Sequence, residues 1–205
     1  MILRLNLIVA LVSLVAAIIL YKVLTKKVQA KGIKAQLTTK AVIQKLAPSM
    51  TLNAKSNKIS IKKNTLNIPP TICDSKLVTD QAPALLAVGY TILGKGNGSW
   101  YYRFLSMVKF DQIFLPFAII ICLLGMIAKT LPIHIALSGI LGAVTLNCLN
   151  NFYLTWINHL AMNLALDRLS KVKLYSKSEH HDKTMDYLRS YAFRQLVPNS
   201  LKWML

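Results

Sequence analysis

Few side chains in this 205-residue chain are equipped for chemistry, and their spacing narrows the choice. His180-His181 stands between Glu179 and Asp182, four metal-ligating types in a row. Neighbours on a helix or strand point apart, so this run reads as a charged loop and not as a metal site. His159 lies near Asn158 and Asn163 at the inner end of a long apolar stretch. Polar groups in such a place either carry function or pair with neighbouring helices and interfacial water, and the second reading is preferred. Asn147, Asn150 and Asn151 are read in the same way. Cys73, Cys122 and Cys148 are isolated: they form no metal spacing and no disulfide framework. Cys122 and Cys148 fall in apolar runs and read as small hydrophobes. Gly94 to Gly98 lacks the Gly-Lys-Ser/Thr of a phosphate loop and reads as a turn. With only seven acids, none obviously paired, general acid–base chemistry has few players. No Ser-His-Asp order and no dinucleotide loop is present.

The segment 84–92 is more informative for what it lacks. It reads Ala84-Leu85-Leu86-Ala87-Val88-Gly89-Tyr90-Thr91-Ile92. A zinc hydrolase helix carries two His one turn apart, so that both imidazoles meet one metal. It carries a Glu beside the first His to deprotonate the metal-bound water. His at 86, Glu at 87 and His at 90 would turn this segment into His-Glu-Val-Gly-His. On these residues the chain resembles the bacterial membrane-anchored neutral zinc metallopeptidases of the His-Glu-Val-Gly-His type. Val88, Gly89 and Ile92 match non-ligand positions of the motif. Leu86 stands where the first His would be, Ala87 where the catalytic Glu would be, and Tyr90 where the second His would be. The acidic ligand of the later helix falls at Asn158, with Ala161, Ala165 and Leu166 around it; a shift of one residue would bring His159 there instead. The resemblance covers roughly residues 5–172 and implies a peptidase-like fold that has lost its metal. No catalytic residue, no metal and no cofactor is expected. Leu86, Ala87, Tyr90 and Asn158 are vestigial motif positions.

The elements that must hold these positions follow from pattern. Leu37 to Leu46 predicts a helix capped at Thr38-Thr39, with a stripe of Ala41, Val42, Leu46 and Ala47 and a stop at Pro48. Met50 to Asn53 is short and extended, and Ala54 to Asn57 is turn-rich. Lys58 to Lys62 alternates with period two, and together these predict a short hairpin. Pro69-Pro70 breaks the chain. Thr79 or Asp80 caps a buried helix through Ala82 to Leu93. In the tail, Met185, Leu188, Tyr191, Ala192 and Leu196 share one helical face, which ends at Pro198. That helix either lies on the membrane surface or docks on the small domain.

Fifty-four per cent of the residues are hydrophobic, and they are concentrated. Leu5 to Tyr21 is uncharged between Arg4 and Lys22, near the shortest length that spans a bilayer. Ile113 to Ala128 is a second uncharged run, and no charge occurs from Thr130 to Leu166. The fold class expected is an α-helical membrane protein, with about three transmembrane helices and a small cytoplasmic α+β unit. Residues 1–24 form the N-terminal anchor and 25–111 the basic α+β domain with the degenerate helix 82–93. Residues 112–160 form two further spans, and 161–205 a basic amphipathic tail. A cleaved signal peptide ending at Val28-Gln29-Ala30 is the alternative for the first span, though Lys22, Lys26 and Lys27 fit it poorly. Ser138, Gly139, Gly142 and Ala143 give the third span a small-residue face for close helix packing, against the other spans or a second copy.

Net charge is +18. Residues 22–112 hold 15 Lys/Arg against three acids, and 149–205 hold eight against four, while only Arg4 and Lys129 lie elsewhere. The positive-inside rule then puts the N-terminus outside and both basic segments in the cytoplasm; the resemblance implies a bacterial inner (plasma) membrane. The short turn with Lys129, Pro132 and His134 is external. The basic surface suits anionic lipid headgroups, and Trp100-Tyr101-Tyr102-Arg103 suits the membrane interface. Aromatic and glycine patterns of nucleic-acid binders are missing, so no nucleic acid is expected. The partners expected are the bilayer and a membrane protein or a second copy. Three roles follow: an inactive peptidase-like protein that binds or scaffolds, a small accessory subunit of a larger membrane complex, or an unconventional hydrolase using Tyr90.

Overall fold

The computed structural model describes residues 2–26, 33–54, 59–62, 65–96, 98–171 and 178–195. The candidate cleavage residues 28–30, most of the turn 54–57, and the tail positions Leu196 and Pro198 lie outside these. Chain order is α1 (Ile2–Lys26), α2 (Thr39–Leu46), β1 (Thr51–Asn53), β2 (Ser60–Lys62), β3 (Thr65–Asn67), α3 (Pro70–Cys73), α4 (Val78–Gly96), α5 (Gly98–Ile127), α6 (Ile133–Ser170) and α7 (Ser178–Tyr191). A 3-10 turn, Ala192–Gln195, follows α7. The chain divides into two compact units. The first comprises Met1–Leu24, Tyr102–Trp156 and Arg194–Leu205; the second comprises Thr25–Tyr101 and Ile157–Phe193.

The first unit holds the long apolar helices. Arg4–Val23, Ser106–Ile127 and Ile133–Ser170 are each long and apolar enough to cross a membrane. Leu5, Ile8, Val12, Ile113, Phe117, Leu124, Ile133 and Leu146 are all exposed, an arrangement that water would penalise and hydrocarbon would not. The helices meet through small and polar residues. Asn6 Nδ2 on α1 donates to Ser138 Oγ on α6 at 2.6 Å. Ile18 and Tyr21 of α1 and Phe152 of α6 pack against the buried Ala17. Asn150 Nδ2 donates to the Met107 carbonyl of α5 at 3.1 Å. A Cβ on Gly139 would meet Cys122 Sγ at 3.1 Å, so the predicted small-residue face of the third span serves α5 as well as α1. A Schellman motif ends α5: Thr130 N donates to Gly125 O, and Lys129 N to Met126 O. Lys129 takes the left-handed position with φ 55°.

The second unit is built on α2, α4, the last part of α6, and α7. Val42, Ile43, Leu46, Leu66, Ile68, Leu85, Val88, Met162, Leu166, Leu169 and Leu188 form one buried core. Full burial of each large side chain there stabilises by about 1.5–3 kcal/mol. The helix predicted over 37–46 is α2, with Thr38 as its N-cap accepting from Ala41 N. Arg168 Nη1 donates to the Leu46 carbonyl at its other end. The hairpin differs from expectation. Strand order is β1-β3-β2, so Met50–Asn53 does not pair with 58–62. β2 pairs antiparallel with β3, Ile61 opposite Leu66, and β1 pairs parallel with β3. Leu66 is completely buried and drives β3 into the central place.

Three boundaries are corrected. α4 begins at Val78, four residues before Ala82, because Ser75 organises its start: Leu77 N donates to Ser75 Oγ, which donates to Asp80 Oδ2. Asp80 thus sits in the first turn, where a carboxylate favours the helix dipole. Gly94 to Gly96 continue α4, and α5 starts at Gly98, so the predicted glycine loop is largely helix. No tail starts at 161: α6 runs unbroken to Ser170, since no proline or glycine interrupts it after Gly142.

Candidate functional site

Every motif position whose chemistry is at issue falls in the second unit. Leu86, Ala87, Gly89 and Tyr90 are on α4, and Asn158 is on α6. The two helices approach unusually closely where Gly89 faces Ala161. A Cβ at Gly89 would fall onto the Ala161 backbone carbonyl, so only glycine permits this crossing. One residue along, the Tyr90 hydroxyl donates a short hydrogen bond to Asn158 Oδ1. Asn158 is buried, and its Nδ2 donates to the Ala192 carbonyl at 3.5 Å, just beyond α7. A single amide therefore ties α4 to the 3-10 turn. Ala87 is buried, and Leu86 is half-buried against the core of this unit.

His159 points elsewhere. Its Nε2 lies 3.0 Å from Asn163 Nδ2, and its ring is 5.3 Å from that of Phe193. Its buried Nδ1 has no hydrogen-bond partner among the described residues. Asn158, not His159, is thus the residue brought to Tyr90.

These residues do not fit zinc. Leu86 and Ala87 offer no donor atom. The Tyr90 hydroxyl is committed as a donor to a neutral amide, and Zn²⁺ requires deprotonated nitrogen, sulfur or oxygen ligands. Among the described residues, no three His, Cys, Asp or Glu side chains gather closely enough to hold a metal ion.

The other sequence candidates are dispersed. His180 and His181 lie in α7, not in a loop, and their side chains are outside the described ones, as are those of Trp100 to Arg103 in α5. Of the two places open to the tail helix, the structure shows the small unit: Tyr187, Leu188 and Ala192 are buried in its core. Asn151 Nδ2 donates to the Asn147 carbonyl at 2.8 Å within α6, and Asn150 reaches α5, as expected of polar groups that pair with helices. Cys73 is buried, and its thiol is pushed up from the ordinary value by burial first, then by the Asp74 charge, with Lys40 opposing. Cys122 is half-buried and Cys148 buried, and neither is in a disulfide. Two features escaped sequence reasoning. The Ala192 carbonyl leaves no trace in residue type, whereas Gly89 inside a helix, costing about 1 kcal/mol against alanine, was a signal of close approach. The chain matches no family model, no curated protein and no solved structure.

Proposed function

We propose that this chain is a catalytically inactive, zinc-metallopeptidase-like integral membrane protein whose role is binding or scaffolding. The observation that carries this reading is the hydrogen bond from Tyr90 to Asn158. Those residues stand at the second-histidine and acidic-ligand positions of the motif, 68 residues apart in the chain, and they touch. Coincidental matches on an ordinary buried helix need not converge. Close contact of Gly89 with Ala161, a motif match against a neighbour of Asn158, supports the same reading. In place of a metal, a neutral hydrogen bond joins the two helices. Such a bond carries no Lewis acid and no base, so hydrolysis through Tyr90 is disfavoured against binding.

The exposed apolar faces of α1, α5 and α6 support three spans in a bilayer. The charge asymmetry supports an N-terminus outside and basic segments on the cytoplasmic side of a bacterial inner membrane, against anionic headgroups. A membrane protein or a second copy is the partner. Metal analysis of the purified native chain tests the inactive reading: zinc at one per chain would overturn it. Crosslinking in native membranes tests the role. Capture of a fixed multi-subunit set would favour the accessory-subunit reading instead.

A further inference from the structure

Two contacts within the first unit fix where the apolar layer ends along α6. Phe152 packs against the buried Ala17 of α1, as does Tyr21, the last residue of α1 before the exposed Lys22. Met107, two residues from the exposed Lys109, accepts from Asn150. Both helices thus meet their first cations within about one to two turns of residues 150–152 of α6. From Ile133 to Phe152 is about 29 Å of helix, which matches a hydrocarbon core of about 30 Å. At the far end, Asn6 joins Ser138 two residues from Arg4.

Trp156 lies one turn past that level and is 53% exposed. Tyr153 stands beside it, ring centroids 6.1 Å apart. An exposed indole ring just beyond the hydrocarbon suits the layer where apolar chains give way to phospholipid headgroups. Lys22 and Lys109 near that level complement phosphate charge.

We infer that Trp156, with Tyr153, anchors the third span in the phospholipid headgroup layer at its basic end, so that the membrane boundary crosses α6 within the turn Phe152–Trp156. This inference rests on the membrane reading above. The test uses the full chain carrying Trp100→Phe and Trp203→Phe, reconstituted in vesicles containing phosphatidylglycerol and brominated phosphatidylcholine. Trp156 emission should be lost most with bromines placed near the headgroups and least with bromines near the bilayer centre. Greater loss with deep bromines would overturn the anchor and leave the spans intact. Emission unaffected by either set would mean that water or a protein surface, such as a second copy, covers the indole, and would also overturn it. The difference in emission between the native chain and Trp156→Leu gives the same readout without the double substitution. Extraction of the chain from vesicles at alkaline pH would overturn the spanning reading itself.

Discussion

The Tyr90 hydroxyl and the Asn158 amide decide more about this molecule than its histidines do. Removing the hydroxyl leaves a buried amide oxygen without that donor, so Tyr90→Phe should cost about 1–2 kcal/mol in denaturant unfolding. Gly89→Ala separates two opposing effects. On an exposed helix this change gains about 1 kcal/mol. Here the new methyl meets backbone, which cannot swing aside, so the substitution should lose at least about 2 kcal/mol in the same measurement. Cys73 supplies a pH dependence. Its thiol is raised in the folded state, so its protonated form is favoured by folding. That contribution is complete below the unfolded thiol's value and is lost as pH rises through the folded one. Stability should therefore fall on the alkaline side of the ordinary thiol range, and Cys73→Ala should flatten that fall. Of these residues, Tyr90 and Asn158 were singled out in the sequence by the resemblance alone. Their contact was not legible, because nothing local records a partner 68 residues away.

Among the elements, periodicity and capping chemistry revealed α2 because the signals are local: Thr38 caps it and its apolar stripe is regular. The same logic failed for β3. Thr65–Asn67 is three residues long, with a single buried side chain, too short for alternation to register. Its central place in the sheet is set by burial of Leu66, a tertiary effect. α6 was legible as a helix long and apolar enough to cross a membrane, but not in its full 38-residue length. Its apolar half announces a membrane helix, and the polar half that follows loses that signal while remaining helical. The Schellman end of α5 makes a topological prediction. Thr130 is exposed in the turn between α5 and α6. In the orientation proposed, Thr130→Cys should react with a membrane-impermeant maleimide in intact cells. Labelling only after lysis would reverse the orientation.

At the scale of the whole molecule, one helix contributes residues to both units. The first part of α6 joins α1 and α5, and its last part enters the core built by α2, α4 and α7. In the function proposed above, the second of these units keeps a peptidase-like arrangement in which the ligand positions have become a hydrogen-bonded joint. If so, the arrangement should still accept ligands. The direct test is zinc content, by mass spectrometry of purified protein, in the native chain and in the variant Leu86→His, Ala87→Glu, Tyr90→His, Asn158→Asp, with circular dichroism confirming that both are folded. No zinc is expected in the native chain and about one per chain in the variant, with its thermal stability raised by the metal. Stoichiometric zinc in the native chain, or a folded variant that binds none, would contradict this reading.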